Sequence, residues 1–239
     1  MTDRKTELAA NLARVEERIA AACAAAGRER GDVTLIVVTK TYPASDVRLL
    51  HELGVRHFAE NRDQDAAPKA AACADLDLTW HFVGQLQTNK VRSVASYAHV
   101  VQSVDRLKLV GALSGAAVRA GRELGCLIQV ALDAESGERG DRGGVAPDGI
   151  EELAAAVDAA PGLRLGGLMT VAPLAGPYAG RQRAAFGRLL ELAAGLRATR
   201  PAANMVSAGM SADLEDAVAA GATHVRIGTA VLGERPRLG

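Results

Sequence analysis

The chain has 239 residues, 49% of them hydrophobic and 23% charged, a balance that excludes a disordered tail or a collagen-like fibre and leaves ample material for a buried core. Twenty-eight basic residues face twenty-eight acidic ones, so the basic surplus needed to grip nucleic acid without regard to sequence is missing. Aromatics are only 3%, too few for stacking platforms on single-stranded RNA.

In chain order, the first 27 residues read as one amphipathic helix. Leu8, Leu12, Val15 and Ile19 recur at three- and four-residue spacing among Arg and Glu, and Gly27 and Gly31 close it. This opening carries mixed charge and no apolar run before a cleavage site, so it does not read as a secretory signal. Eight short apolar runs follow: 33–40, 56–61, 79–84, 98–104, 126–132, 163–170, 203–209 and 223–230. Between them lie helical stretches at 44–53, 62–74, 88–96, 106–122, 148–159, 179–199 and 212–220. Apolar strands alternating with helices imply a parallel sheet covered on its outside. Eight such units in a chain of this length predict an α/β fold of the (β/α)8 TIM-barrel type with an extra N-terminal helix, forming a single domain over 1–239. The long polar loop 133–149 follows the fifth strand, where a barrel places functional loops.

No run of apolar residues is long enough to span a bilayer. Cys23, Cys73 and Cys126 are odd in number and far apart, which implies neither a disulfide framework nor zinc. A reducing cytoplasm is the expected compartment, with neither a membrane nor a nucleic acid as partner.

Barrels of this kind place their chemistry at the carboxyl ends of strands. Lys40 is expected to end the first strand, sharing a face with Val38 and Ile36. A lysine stem rising out of a barrel interior is partly desolvated, which favours the neutral, nucleophilic amine suited to a Schiff base. The alternative is that it merely reaches solvent at the rim or pairs with Glu60. Strand two ends at Glu60 and Asn61. Strand seven ends at Ser207 and Gly209 and runs into Ser211, a natural N-cap, while strand eight ends at Gly228 and Thr229. Loops after strands seven and eight are where these barrels hold a phosphate on backbone N–H groups. A lysine nucleophile beside an anion cradle admits two chemistries, a phosphosugar aldolase or a pyridoxal phosphate site.

The segments VTKTYPASDV, FAENRDQD, WHFVGQLQTNKV, VVQSVDRLKL, GLMTVAP and SAGMSADLEDAVAAGATHVRIGTAVLG resemble, in order and across essentially the whole chain, the pyridoxal phosphate homeostasis protein family. That family is a single-domain relative of the alanine racemase barrel. The resemblance implies that Lys40 carries pyridoxal 5'-phosphate as a Schiff base and that Asn61 lies near the lysine end. It further implies that Ser207, Gly209, Ser211, Gly228 and Thr229 bind the phosphate and that Arg226 meets the pyridine nitrogen. It implies a cofactor-holding protein, expected to be monomeric, that hands the cofactor to apoenzymes and is not itself an enzyme. An amino-acid racemase is the alternative within the same fold group.

Three positions depart from the family pattern: Arg62 where an aromatic is common, Ala208 where a methionine is frequent, and Arg142 where a lysine is usual. His81, out of phase with Trp80 and Phe82, reads as a satisfied barrel histidine. His51, His57, His99 and His224 show no metal-ligand spacing, so no metal is expected. The basic residues of 106–122 read as a solvated helix face.

Overall fold

The computed structural model describes residues 3–136 and 143–233. Eight parallel strands close into a barrel in sequence order: β1 (Thr34–Val38), β2 (His57–Glu60), β3 (Thr79–Phe82), β4 (Val100–Val104), β5 (Leu124–Gln129), β6 (Leu163–Met169), β7 (Met205–Ser207) and β8 (His224–Ile227). Closure is made by β1 pairing with β8, Thr34 opposite His224 through Val37 opposite Ile227. The first helix, α1 (Arg4–Ala25), lies outside the repeat and buries Leu8, Leu12, Val15 and Ile19, the residues whose spacing marked it. Between strands run α2 (Ala44–Glu52), α3 (Asp63–Ala72), α4 (Val91–Tyr97), α5 (Leu107–Ala120), α6 (Ile150–Asp158), α7 (Gln182–Thr199) and α8 (Leu214–Ala220), and α9 (Thr229–Leu232) follows β8. Among the described residues no helix is long and apolar enough to cross a membrane.

Alternation along each strand divides the side chains between two environments. The outward set packs under the helices. Leu35, Val37, Phe58, Trp80, Val225 and Ile227 meet α1 and α2 in one core cluster, and Val101, Cys126, Ile128, Leu168 and Val206 meet α4 to α7 in another. The inward set is more polar: His81, Gln102, Ser207 and Arg226 are all buried, while Val100, Leu127 and Met169 form a small apolar group among them. Burying so many polar groups is tolerable only because they bond to one another.

The structure ends β2 at Glu60 and β7 at Ser207, before the expected Asn61 and Gly209, and corrects three further readings. Strand β1 ends at Val38, so Lys40 sits two residues beyond it, in a turn whose Thr41 adopts φ 71°. That conformation is uncommon for a β-branched residue. Ser211 does not cap α8: it lies in the turn before Asp213, the residue at the N-cap position, whose Oδ1 accepts from the Met210 N–H at 2.5 Å. The run 223–230 is not one strand, because from Thr229 the chain turns into α9. Arg142 lies outside the described residues.

Candidate functional site

A cavity of about 420 Å³ opens at the carboxyl ends of the strands. Of the eight residues singled out in the sequence, Lys40, Asn61, Ser211, Arg226, Gly228 and Thr229 line it. Val38, the last residue of β1, also lines it. Ser207 and Gly209 do not line it. Ser207 is fully buried, where its Oγ accepts from Arg226 Nη1 at 2.6 Å. Gly209, at φ 89°, approaches α8 so closely that a Cβ would stand 2.5 Å from Ala217 Cβ, and its carbonyl accepts from the Arg226 N–H at 2.9 Å. Both residues therefore support Arg226 from behind.

Several of the lining positions are braced by buried neighbours. Beneath Lys40, the fully buried Thr39 donates its hydroxyl to Glu60 Oε1 at 2.5 Å, and its carbonyl accepts from Lys69 Nζ at 2.7 Å. Lys69 also forms an ion pair with Glu60. The possible pairing of Lys40 with Glu60 is thus replaced by a buried Lys69–Glu60–Thr39 cluster. Burial raises the Glu60 carboxyl and Lys69 opposes that rise. Asn61 is held near Gly84, where a Cβ would fall 2.0 Å from the Asn61 carbonyl oxygen, a close approach only glycine permits. The N–H groups of Thr229 and Ala230 head α9 and have no acceptor within the helix.

Arg226 stands 4% exposed, and burial pushes its guanidinium down to about 10. Its Nη2 donates to the Thr170 carbonyl at 2.7 Å. The cavity thus joins one lysine, one buried cation and a small group of backbone donors and hydroxyls, a set that can bind an anion and offer an amine to a carbonyl. Arg62 is exposed and belongs to a neighbouring cleft with Gln85 and Lys90. Ala208 is buried in the outer core, so neither departure touches the cavity.

Sequence reasoning passed over Lys69, which reads as a surface lysine on an Ala-rich helix, and the inward-facing Gln102. It also treated the histidines singly. His57 Nδ1 lies 3.1 Å from His81 Nε2, and His81 Nδ1 lies 3.0 Å from Gln102 Nε2. His81 is the satisfied barrel histidine its phase suggested. Inward alternation at 57, 81 and 102 was the available signal.

Residues 10–236 match the family model for the alanine racemase N-terminal domain. The chain is 44% identical to the pyridoxal phosphate homeostasis protein of Pseudomonas aeruginosa over 95% of its length and 96% of the relative's. It is 38% identical to that of Escherichia coli K12, over 96% and 97%. Among solved structures, PipY of Synechococcus elongatus with PLP bound aligns with a TM-score of 0.80 at 33% identity, covering 95% of this chain and all (100%) of PipY. Alanine racemase from Corynebacterium glutamicum shares the fold alone, with a TM-score of 0.64, 18% identity and 62% of its length covered. The chain belongs to the pyridoxal phosphate homeostasis protein family.

Proposed function

From membership of that family, we propose that this chain binds pyridoxal 5'-phosphate in the strand-end cavity and holds it for delivery to cytoplasmic apoenzymes, acting as a monomer. Lys40 supplies the amine that condenses with the cofactor's aldehyde. Ser211, Thr229 and the amides around Gly228 take the phosphate, Asn61 borders the lysine end, and Arg226 faces the ring nitrogen, with Ser207 and Gly209 behind it. The observation that carries this reading is the convergence of Lys40, Arg226 and Thr229 on one cavity.

Holding rather than turnover is supported by Arg226. Bound pyridoxal phosphate serves enzymes as an electron sink, and that role needs a protonated ring nitrogen, normally kept so by a carboxylate. A guanidinium can only donate, so the nitrogen opposite it stays unprotonated and α-carbanion chemistry is poorly served. That argues against aminotransferase-like chemistry. Racemases of this fold group use such an arginine as well, and theirs is the weaker reading because relatives 44% and 38% identical over nearly the full chain are homeostasis proteins.

Replacing both Ser211 and Thr229 by alanine weakens retention of pyridoxal 5'-phosphate far more than that of unphosphorylated pyridoxal. Hydrogen bonds to a charged group contribute about 1.5 to 3 kcal/mol each, net of the bonds to water that they replace. Equilibrium dialysis of both ligands reads the difference. Equal losses for the two would move the anion site elsewhere.

A further inference from the structure

Behind the cavity, a line of buried side chains crosses the barrel to its opposite mouth. Arg226 Nη1 meets Ser207 Oγ at 2.6 Å, Ser207 Oγ meets Gln102 Oε1 at 2.7 Å, and the Gln102 amide reaches His81 Nδ1 at 3.0 Å. His81 Nε2 meets His57 Nδ1 at 3.1 Å. His57 borders a second cavity with Glu16, Arg30 and Val55, among the amino ends of β1 and β2.

The direction of every bond in this line follows from its first member. Arginine has five donors and no acceptor, so Ser207 must accept from Arg226 and spend its own proton on Gln102. That fixes the Gln102 carbonyl toward Ser207 and its NH2 toward His81 Nδ1, which must accept. His81 therefore carries its proton on Nε2 and donates it to His57. Turning the Gln102 amide over would leave the Ser207 hydroxyl proton facing a second donor, so the line holds one orientation.

We propose that Gln102, oriented by His81, is a positioning residue for Arg226: it takes the Ser207 proton, turns the hydroxyl's lone pair toward Nη1 and thereby aims the guanidinium at the cavity. This rests on the reading that Arg226 meets the ring nitrogen of pyridoxal phosphate. Gln102 is fully buried and His81 is 1% exposed, so water does not substitute for either. Burial first, and then the neighbouring His57, His224, His99 and Arg226, hold His81 well below its ordinary range, in keeping with the neutral ring the line requires.

Two measurements test this. In the wild-type protein without cofactor, 15N NMR of the histidine rings should show His81 protonated at Nε2 and bare at Nδ1. Gln102→Glu keeps an acceptor for Ser207 but gives His81 Nδ1 an acceptor in place of a donor, so it should put a proton on Nδ1 while retaining pyridoxal 5'-phosphate better than Gln102→Leu does. Gln102→Leu removes the acceptor and should weaken retention about tenfold and shift the absorbance band of the bound cofactor. Should Gln102→Leu fail to fold, the wild-type and Gln102→Glu results decide. A wild-type His81 protonated at Nδ1, a Gln102→Glu protein as weak as Gln102→Leu, or a folded Gln102→Leu matching wild type would each overturn the positioning role. A wild-type protein that takes up no pyridoxal 5'-phosphate would instead bring down the functional reading on which the role rests.

Discussion

Lys40→Ala removes the imine's absorbance band from the protein incubated with pyridoxal 5'-phosphate, leaving only the spectrum of the free aldehyde, and dialysis removes the cofactor it retains. On the proposed reading the groups assigned to the phosphate and Arg226 survive this change, so weak noncovalent binding persists, while the condensing amine is gone. Lys40→Arg is the decisive companion. It keeps a positive charge at the same place, yet a guanidinium is protonated at any working pH and does not condense. Both variants should therefore fail alike. A Lys40→Arg protein that kept the band would show that charge at this position, and not nucleophilicity, is what holds the cofactor.

The second large effect is on stability. Lys69 and Glu60 are 6% and 0% exposed at their side chains and form an ion pair, with Thr39 as the pair's shared neighbour. Lys69→Met leaves a buried carboxylate with only the Thr39 hydroxyl, a loss of about 3 to 5 kcal/mol for a broken buried pair. Glu60→Leu combined with Lys69→Met removes both charges and should recover most of that loss, because much of it is the isolated charge rather than the missing attraction. Urea unfolding of the single and double variants reads the cycle.

The pH dependence has a definite sign. Burial already raises the Glu60 carboxyl, and Lys69 is the main influence lowering it. Without Lys69 the folded-state value rises further, so the folded variant favours the protonated acid. Its stability deficit is full above that raised value and shrinks as pH falls through it. A deficit that grew with acidity would contradict the isolated-carboxylate explanation. Because Lys69 also bonds the Thr39 carbonyl one residue before Lys40, the single variant should lose cofactor retention as well.

How much of this was readable in the sequence depends on the distance over which each feature is decided. The β/α repeat and α1 are local: apolar runs such as TLIVV and the spacing of Leu8, Leu12, Val15 and Ile19 set strand and helix within a few residues. The placing of Lys40 and Thr229 near strand ends followed from that repeat, whereas Arg226 came only from the family resemblance; all three line one cavity. Ser211 was misread as a helix cap because its residue type suits one, while Asp213, two residues on, occupies that position. The polar line through the barrel was not legible. His57, His81, Gln102 and Ser207 come from four strands, and which inward side chains meet depends on the register around a closed sheet. Lys69 is similar: its burial is set by how α3 sits against the end of β2, and nothing in the helix sequence marks it off from solvated lysines.

The most direct test of pyridoxal phosphate held through Lys40 is chemical trapping. The protein loaded with pyridoxal 5'-phosphate is reduced with borohydride, which makes the bond from the lysine nitrogen permanent, then digested and mapped by mass spectrometry. The phosphopyridoxyl mass should fall on the peptide bearing Lys40, with loss of the original absorbance band. An adduct confined to Lys69, Lys90 or Lys108, or no adduct on a protein that retains the cofactor, would contradict it.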